Sequence, residues 1–380
     1  MKSSTLNSQT SHLHNSEPKV AIVCDWLTNM AGAERVVLEL HRMYPKAPIY
    51  TSTFEKQAMP LFKNADVRTA WFQKLPKSLR RHQLLTLPRQ WYFGHLKLDK
   101  YDVVISAGGA EAKAVRGRPG RHINICYTPT LYYWIKPDNY LKGQGSDGLN
   151  FFWKLGLKIL MPSAKRWDLK ASKRPDKMYA ISTAVQARIK KYYGRDTEII
   201  YPPTDLERFA NDGRAIRSGF VTFGRQVTHK RLDLAILACN EAKLPLTVIG
   251  NGPEHARLQA MAGPTITFKS SVSDNEMVNY ISKAEAFIFP NEEDFGIVAL
   301  EAQACGIPVI AFRAGGALDT VIEGVTGEFF DEQTVDCLVQ KIKGFNYKLY
   351  NRHTILENAG KYSVDIFKSN IQKAVADTLK

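Results

Sequence analysis

The chain of 380 residues has few of the features that would assign it to a disulfide scaffold, a zinc protein or a membrane-spanning protein. Its five cysteines, at positions 24, 126, 239, 305 and 337, are far apart, and no two form a Cys-x-x-Cys pair. We therefore expect reduced thiols in a cytosolic protein and no zinc site. No apolar run reaches the ~18 residues that a transmembrane helix requires. Residues 1–17 contain no apolar core, so we expect a disordered tail rather than a signal peptide.

Three motifs of nucleotide and metal sites are also missing. The first strand and the first helix are not joined by Gly-x-Gly-x-x-Gly, which argues against a nicotinamide dehydrogenase. The chain contains no Gly-x-x-x-x-Gly-Lys-Ser/Thr, which argues against a P-loop kinase. No two aspartates are separated by a single residue, so the Asp-x-Asp metal motif is absent as well.

Positive charge is concentrated in the first half of the chain, although the whole carries a formal net charge of +15. Residues 1–200 contain 33 Lys and Arg against 15 Asp and Glu, an excess of 18. The remainder contains 19 Lys and Arg against 22 Asp and Glu. A strongly basic half beside a slightly acidic half predicts an anionic partner for the first half only.

Much of this excess lies in residues 68–100, where eight basic residues and one acid are interleaved with aromatic and leucine residues. Residues 151–177 repeat the pattern. This composition is typical of a segment that lies on an anionic lipid surface. The expected membrane-facing residues are Trp71, Lys77, Arg80, Arg81 and Trp91. Two ordinary amphipathic helices with core-facing apolar sides are the main alternative. A nucleic-acid surface, where aromatics and Arg stack on bases, is a weaker one, and we expect no nucleic-acid partner.

Short apolar segments alternate with helical segments along most of the chain. The candidate strands are residues 19–26, 102–108, 122–128, 177–182, 220–225, 246–250, 266–270, 286–290 and 308–312. Such alternation predicts parallel sheets with right-handed crossovers. We expect an α/β protein of two doubly wound domains, residues 18–200 and 201–361, joined near Pro202-Pro203, because two prolines resist both helix and sheet. Residues 362–380 have apolar residues at helical spacing and predict a C-terminal helix that covers another surface.

The most informative functional pattern is residues 289–301, which read FPNEEDFGIVALE. Gly296 precedes an apolar helix, whose first N–H groups have no intrahelical partners and therefore favour an anion. Glu293 in the loop and Glu301 in the helix could each hold hydroxyl groups on either side of that anion. A sugar nucleotide fits this arrangement, because it carries a diphosphate between two polyols.

Other residues could complete a phosphate site. Arg225 follows a strand and Lys230 comes five residues later, and these side chains bind phosphate as a bidentate fork and as a point charge. Gly32, between the first strand and the first helix, would allow close backbone approach to a phosphate. The remaining acids of the loop, Glu292 and Asp294, are interpreted as favourable charges at a helix N-terminus without a further role.

Together these patterns resemble glycosyltransferase family 4, whose members have the two-domain GT-B fold and transfer sugars with retained configuration. The matching stretches are AGAE at 31–34, YAISTAVQARIKKYYG at 179–194, IIYPPTDLERF at 199–209, FVTFGRQVTHKRLDLAI at 220–236, GNGPE at 250–254 and the E-x7-E element that begins at Glu293. They follow the expected order and span most of the chain. The variant EDFGIV…EAQACG…GGALDTV looks most similar to the bacterial mannosyltransferases that build O-antigens and exopolysaccharides.

The resemblance implies roles on the donor side. Glu293 would contact the hydroxyls of the donor sugar near the reacting carbon, and Glu301 would take the ribose hydroxyls. The remaining donor-binding residues would hold the sugar and the diphosphate through amides and cations: Gly32, Arg225, Lys230, Gly250, Asn251, Phe295, Gly296 and Ile297.

The resemblance also implies an acceptor side formed around the helix after AGAE. Its expected residues are Asp25, Ala33, Glu34 and Thr128. Family members often read HTPxRY where this chain reads YTPTLY from position 127, so Tyr127 and Leu131 replace the His and the Arg. Tyr127 could hydrogen-bond the donor sugar near the reacting carbon, and a place in the wall of the acceptor pocket is the alternative.

We therefore expect a hexosyltransferase that moves mannose from GDP-mannose onto a lipid-linked saccharide in bacterial surface polysaccharide synthesis. It would work in the cytoplasm, on the inner face of the plasma membrane, and would require no metal or other cofactor. In the mechanism proposed for the family, an oxygen of the leaving phosphate takes the acceptor proton. A UDP-sugar donor is the alternative within this class. A non-catalytic nucleotide-sugar or polyanion-binding protein is the alternative from another class.

Overall fold

The computed structural model describes residues 17–76, 79–80, 85–135, 151–211 and 213–380, and for residues 151–158 it describes the backbone alone. Its strands are β1 Val20–Cys24, β2 Ile49–Thr51, β3 Val67–Thr69, β4 Val103–Gly108, β5 His122–Cys126, β6 Lys177–Ala180, β7 Glu198–Ile199, β8 Phe220–Phe223, β9 Leu246–Ile249, β10 Ile266–Lys269, β11 Ala286–Phe289, β12 Val309–Phe312 and β13 Gly327–Phe330.

The α-helices of the described residues flank these strands. They are α1 Gly32–Met43, α2 Thr86–His95, α3 Leu131–Trp134, α4 Phe151–Ala171, α5 Thr183–Tyr193, α6 Leu232–Ala242, α7 His255–Ala260, α8 Asp274–Ser282, α9 Ile297–Ala304, α10 Ala317–Thr320, α11 Val335–Lys343, α12 Arg352–Gly360 and α13 Val364–Leu379. Short 3-10 helices span Pro60–Phe62, Trp71–Lys74, Glu111–Ala114, Glu207–Phe209, Thr228–Lys230 and Tyr347–Leu349.

The strands form two parallel sheets, which confirms the predicted fold class of two doubly wound α/β domains. The first sheet has the order β3-β2-β1-β4-β5-β6-β7 and the second has the order β10-β9-β8-β11-β12-β13. The central strands are buried on both faces, as their Val- and Ile-rich sequences require. All five residues of β1 are buried, for example, and they pair in register with β4 from Val20 opposite Val103 onward.

All nine predicted strands are present, and four further strands are not predicted by the sequence patterns. These are β2, β3, β7 and β13, which have only two to four residues each. The first three are too short to develop a period that distinguishes a strand from a loop, and β13 reads GEFF, in which a charged residue interrupts the apolar pattern. The five cysteines are free, and four of them are buried.

The chain passes from the first sheet to the second between Ile199 and Phe220. The Pro202-Pro203 pair lies in this interval. The backbone amide of Thr204 donates to the carbonyl of Tyr362 at 2.9 Å, just before the C-terminal helix. The two chain segments that cross between the domains therefore lie side by side.

The C-terminal helix α13 packs on the first domain, against α1, β4 and β5. It buries Phe367, Ile371 and Val375 along one face. Arg121 at the start of β5 donates from Nη1 to the carbonyl of Thr378 at 2.5 Å. The apolar stripe of residues 362–380 thus covers the sheet of the first domain.

The described residues of the basic and aromatic segment 68–100 form more than one kind of element. They include the end of β3, the 3-10 helix Trp71–Lys74 and α2. Phe72 and Phe93 are buried, whereas Trp71 and Trp91 are 59% and 57% exposed. The aromatic residues of the segment are therefore divided between the core and the surface.

One residue expected on a membrane-facing surface lies elsewhere. The side chain of Arg80 is only 12% exposed and forms an ion pair with Glu55 at 2.6 Å. The prediction for Arg80 is therefore wrong, because a neighbouring carboxylate neutralises its charge within the protein. Lys77 and Arg81 lie outside the described residues. In the described part of the chain, no helix is both long enough and apolar enough to cross a bilayer.

Candidate active site between the domains

The turn from β11 into α9 forms the first part of the site. Gly296 caps α9 with a φ of 81°, and a Cβ at this position would lie 2.8 Å from the Phe289 ring. Any other residue would be strained and would collide with that ring, so the turn requires glycine. The first N–H groups of α9 have no intrahelical partners and are directed out of the helix. The turn therefore has the geometry of an anion site.

Charged side chains surround this turn. Lys230, at the end of a 3-10 helix, forms an ion pair with Glu293. The Glu293 carboxylate also accepts from Asn291 Nδ2 at 3.0 Å. Arg225 is exposed after β8, and its guanidinium forms no hydrogen bond or ion pair with another described residue. The structure thus joins Lys230 to Glu293 and leaves Arg225 open to a ligand.

Glu301 lies in α9, and its side chain is only 8% exposed. Arg35, which belongs to α1 of the first domain, donates from Nη1 to Glu301 Oε1 at 3.1 Å. Burial raises the pKa of Glu301 above its ordinary value, and the Arg35 guanidinium opposes that rise. The carboxylate that is expected to hold a ribose is therefore paired with a cation from the other domain.

The two other acids of the turn also contact the first domain. Arg188 in α5 binds Glu292 at 2.6 Å and forms a second ion pair with Asp294. The hydroxyl of Ser182 donates to the carbonyl of Asp294. The interpretation of Glu292 and Asp294 as helix-terminus charges without a further role is wrong, because both acids join the second domain to the first.

A cavity of about 320 Å³ opens on the first domain beside this turn. The four residues expected on the acceptor side line it, and so do Tyr127 and a residue of the second domain: Asp25, Ala33, Glu34, Thr128, Tyr127 and Asp294. Trp26 and Tyr132 add aromatic surface to the wall. The cavity thus lies at the boundary between the two domains.

Asp25 is buried in the wall of this cavity, where it holds the backbone. Its Oδ2 accepts the amides of Gly109 and Ala110 at 2.9 Å, and its Oδ1 accepts the amide of Ala112 at 2.7 Å. Burial, together with the nearby Glu111, raises the pKa of Asp25 to about 6, and the amide donors oppose the rise. Three donors on one carboxylate favour its ionised form. Asp25 therefore shapes the turn at 109–112.

Tyr127 and Thr128 differ in how their hydroxyl groups are used. The Tyr127 hydroxyl donates to the carbonyl of Ala33 at 2.9 Å, and burial raises the pKa of this phenol well above its ordinary value. Tyr127 therefore stays protonated and holds the first turn of α1. Thr128 Oγ1 is buried without a hydrogen-bond partner among the described residues. The Thr128 hydroxyl in the cavity wall is thus available to hydrogen-bond a ligand.

The start of α1 approaches α9 closely. A Cβ on Gly32 would lie 3.2 Å from Ile297 Cδ1, so the two predicted donor-binding residues from different domains are neighbours. Glu34 Oε2 accepts the amide of Ala31 at 3.1 Å, which satisfies a free donor at the start of α1. Burial raises the pKa of Glu34.

Gly250 and Asn251 follow β9 and lie beside the turn that follows β8. Gly250 has a φ of 118°, and a Cβ there would lie 2.2 Å from the carbonyl oxygen of Gly224. Asn251 is exposed beside it. Phe295 is buried instead, and its ring stacks on Tyr201 at 5.7 Å between the centroids. The glycine turns thus lie at the carboxyl edge of the second sheet, where parallel α/β sheets bind ligands.

A buried ionic network supports the cavity from behind. Arg89 binds Glu111 at 2.9 Å, and Lys113 binds Asp168 at 2.7 Å, with all four side chains at most 2% exposed. The hydroxyl of Tyr132 donates to Glu111 at 2.7 Å. Because removal of one partner would leave a buried charge, each pair strongly constrains the wall that contains Tyr132.

Sequence reasoning missed Arg35, Arg188, Trp26 and Tyr132. Arg35 directly follows AGAE, and Arg188 lies in a matched family stretch, so their positions offered a weak indication. Their partners, however, are far along the chain: Arg35 and Glu301 are 266 residues apart, and Arg188 and Asp294 are 106 residues apart. No local pattern shows such a pairing.

The fold and the site define a class of protein. Two parallel α/β domains face each other, with a glycine-capped helix start and cations on one side and a polar and aromatic cavity on the other. This is the architecture of GT-B glycosyltransferases. Within the described ranges, no three His, Cys, Asp or Glu side chains group as a metal site.

Two family models match adjoining parts of the chain. Glycosyltransferase Family 4 matches residues 30–208, and Glycosyl transferases group 1 matches residues 209–360. The chain belongs to glycosyltransferase family 4, which confirms the resemblance found in its sequence.

Known relatives and solved structures agree with this assignment. A GDP-mannose-dependent alpha-(1-6)-phosphatidylinositol monomannoside mannosyltransferase of Mycolicibacterium smegmatis is 28% identical over 214 residues, which are 48% of this chain and 56% of the relative. A GDP-mannose-dependent alpha-mannosyltransferase of Corynebacterium glutamicum is 34% identical over 114 residues, or 30% of this chain and 27% of the relative. The chain spans about half the length, or less, of these curated relatives.

Solved structures match over nearly the whole chain. HepE of Anabaena, in complex with UDP and glucose, has a TM-score of 0.68 at 16% identity, over 94% of this chain and 99% of HepE. The lipopolysaccharide outer core galactosyltransferase WaaB has a TM-score of 0.65 at 16% identity, over 94% of this chain and 99% of WaaB. At this identity the matches show the fold.

Proposed function

We propose that this protein transfers a hexose, mannose from GDP-mannose, to an acceptor hydroxyl at the boundary between its domains. The observation that supports this most is the placement of two consecutive residues. Glu293 pairs with Lys230 on the donor side, whereas Asp294 lines the cavity of the first domain. A sugar held at Glu293 would therefore face an acceptor held in that cavity. The GDP-mannose-dependent relatives support the choice of donor.

The donor side supplies electrostatic stabilisation. The start of α9, together with Arg225 and Lys230, would neutralise a diphosphate, and such preorganised groups favour the charge that develops on a leaving group. When phosphate binds Lys230, its ion pair with Glu293 is relieved, and that carboxylate can accept from sugar hydroxyls. Glu301 would hold the ribose after Arg35 withdraws.

The carboxylates of the cavity already hold hydrogen bonds or an ion pair within the protein, and this supports transfer with retained configuration. Asp25 accepts three amides, Glu34 accepts one, and Asp294 is paired with Arg188. Each of these three carboxylates is thus held by a donor within the protein. We propose that the bond from the sugar carbon to the diphosphate oxygen breaks while the acceptor oxygen bonds on the same face. The acceptor proton then passes to the released diphosphate oxygen.

The exposed surface of the first domain supports a lipid-linked acceptor. Trp71 and Trp91 are more than half exposed, and Leu87 and Ile159 are 50% and 69% exposed. They occur in the half of the chain with an excess of 18 positive charges. We propose that this face lies on the cytoplasmic surface of an anionic membrane, where the cavity can reach a lipid-linked saccharide.

Nucleotide binding and transfer together test this proposal. GDP should raise the melting temperature more than UDP or ADP at equal concentration, because a ligand that binds only the folded state stabilises it. Labelled GDP-mannose should then be consumed by transfer or slow hydrolysis. A preference for UDP would favour the UDP-sugar alternative. Binding without any turnover would indicate a nucleotide-sugar-binding protein.

The same assay tests the metal requirement. We propose that the helix start and the two cations hold the diphosphate without a metal ion, so transfer should persist in EDTA. Complete loss of transfer that Mg²⁺ restores would contradict this proposal.

A further inference from the structure

A second cavity, of about 440 Å³, lies on the first domain away from the site between the domains. Its charged lining consists of Arg116, Arg118, Arg174 and Asp176, and we call it the arginine cavity. His122, the first residue of β5, also lines it. The arginine cavity therefore lies at the amino ends of the strands, whereas the proposed transfer site lies at their carboxyl ends.

The lining of the arginine cavity has more positive than negative charge. Arg116 is exposed, and its guanidinium forms no hydrogen bond or ion pair with another described residue. Arg118 donates to the Asp99 carbonyl at 2.5 Å and lies 3.8 Å from the Asp102 carboxylate. Asp176 is the one carboxylate in the lining, and it accepts the backbone amide of His122 at 2.9 Å. The lining thus contains three guanidinium groups and one carboxylate, and a second carboxylate, that of Asp102, lies next to Arg118 outside the lining.

Arg174 is half-buried without a carboxylate partner in the described part of the chain. Its Nη1 donates to the carbonyl of Gly94 at 3.1 Å and to the carbonyl of Ala114. Both acceptors are neutral. Burial and, secondly, the nearby Arg116 lower the pKa of Arg174. An anion in the arginine cavity would give Arg174 a negatively charged partner.

His122 adds a neutral imidazole to the wall, because burial lowers its pKa to about 4. Its Nε2 lies 2.7 Å from Ser106 Oγ, and Asn124 Nδ2 donates to that same oxygen at 2.9 Å. The Ser106 hydroxyl can donate to Nε2, which places the ring proton on Nδ1, or to the carbonyl of Ile123 at 3.4 Å, which leaves the proton on Nε2. Nδ1 is buried without a partner among the described residues. In the tautomer with the proton on Nδ1, an anion in the cavity would offer this nitrogen an acceptor.

We propose that the arginine cavity binds a phosphate group. Guanidinium groups form planar forks that match phosphate oxygens, and three arginines line this cavity, which has space for a phosphate. The phosphate could belong to a soluble anion or to a lipid headgroup. A lipid headgroup is one of the two sources because Gly94, whose carbonyl accepts from Arg174, lies in α2 three residues after the exposed Trp91. The proposal does not depend on sugar transfer.

Calorimetric titration with inorganic phosphate, at ionic strength matched with sodium chloride, tests the site directly. Arg116→Ala and Arg118→Ala should each weaken phosphate binding about tenfold, because each removes a charge-assisted contact. Arg166→Ala is the matched control, since Arg166 is exposed on α4 and has no described partner. Lys230→Ala distinguishes the arginine cavity from the diphosphate site and should leave this binding unchanged. Loss of binding in Lys230→Ala with retention in Arg116→Ala would overturn the proposal.

Sedimentation with phosphatidylcholine vesicles that contain phosphatidic acid distinguishes the two sources. If Arg116→Ala reduces vesicle binding and soluble phosphate competes with it, the ligand is a lipid headgroup. If vesicle binding is unchanged while phosphate titration is lost, the ligand is a soluble anion. If the wild-type protein binds inorganic phosphate no better than Arg116→Ala in solution, and the two bind these vesicles equally, the arginine cavity is not a phosphate site.

Discussion

Arg35 in the first domain and Glu301 in the second form an ion pair at 3.1 Å, in the place where a ribose is expected. The Glu301 side chain is only 8% exposed, so this carboxylate has little contact with water and is neutralised by Arg35 instead. Arg188 makes a second connection of the same kind with Glu292 and Asp294. A nucleotide that uses Glu301 must therefore displace Arg35.

Removal of Arg35 should make nucleotide binding tighter. A partly exposed pair of this kind contributes about 1 kcal/mol, so Arg35→Ala should lower the dissociation constant of GDP roughly fivefold. Arg42→Ala is the control, because Arg42 lies on the same helix but pairs with Glu39 within the first domain. Isothermal titration calorimetry measures both. Weaker binding in Arg35→Ala would mean that Arg35 is itself a nucleotide ligand.

Lys230 and Arg225 should each be needed for turnover. Loss of either cation removes a contact to the charge that develops on the leaving diphosphate, so the transfer rate should fall by roughly 10²-fold. Lys283→Ala removes an exposed lysine of the same domain and should have no effect. Thermal unfolding will show whether the variants are folded. Near-wild-type rates in both Lys230→Ala and Arg225→Ala would refute the phosphate assignment.

The two glutamates should separate turnover from binding. Glu293→Gln should chiefly lower kcat, because this carboxylate is expected to contact the reacting sugar. Glu301→Gln should chiefly weaken GDP binding, because it is expected to contact the ribose. Gln has nearly the same size and shape as Glu, so neither substitution introduces a steric change. A GDP titration that is unaffected by Glu301→Gln would contradict the ribose assignment.

The sequence predicts the fold more completely than it predicts the site. Apolar runs such as 286–290 appear as buried strands, because local composition is sufficient to specify them. Gly296 was also predicted, since glycine before a helix marks a turn that other residues cannot form. The three amides on Asp25 and the pairing of Arg35 with Glu301 were not predicted. They depend on contacts between residues distant in the chain, which only the packing of the two domains brings together.

Tyr127→Phe tests whether the phenol acts on the donor sugar or fixes the cavity wall. The hydroxyl donates to the Ala33 carbonyl, so its loss should loosen the first turn of α1. The KM for the acceptor should then rise severalfold, as expected for a hydrogen bond worth about 1 kcal/mol, with little change in kcat. Steady-state kinetics with varied acceptor separate the two parameters. A 100-fold fall in kcat would instead support a direct contact with the reacting sugar.

The exposed tryptophans of the first domain should determine membrane binding. Trp71→Ala and Trp91→Ala should each weaken binding to anionic vesicles about tenfold, because each removes apolar surface that the lipid would cover. Leu349→Ala is the control, since Leu349 is 78% exposed on the second domain. Vesicle sedimentation should show that binding requires anionic lipid and falls with salt, because the basic residues of this domain are screened. Equal binding to neutral vesicles, or no binding to anionic ones, would mean that segment 68–100 is an ordinary part of the domain surface.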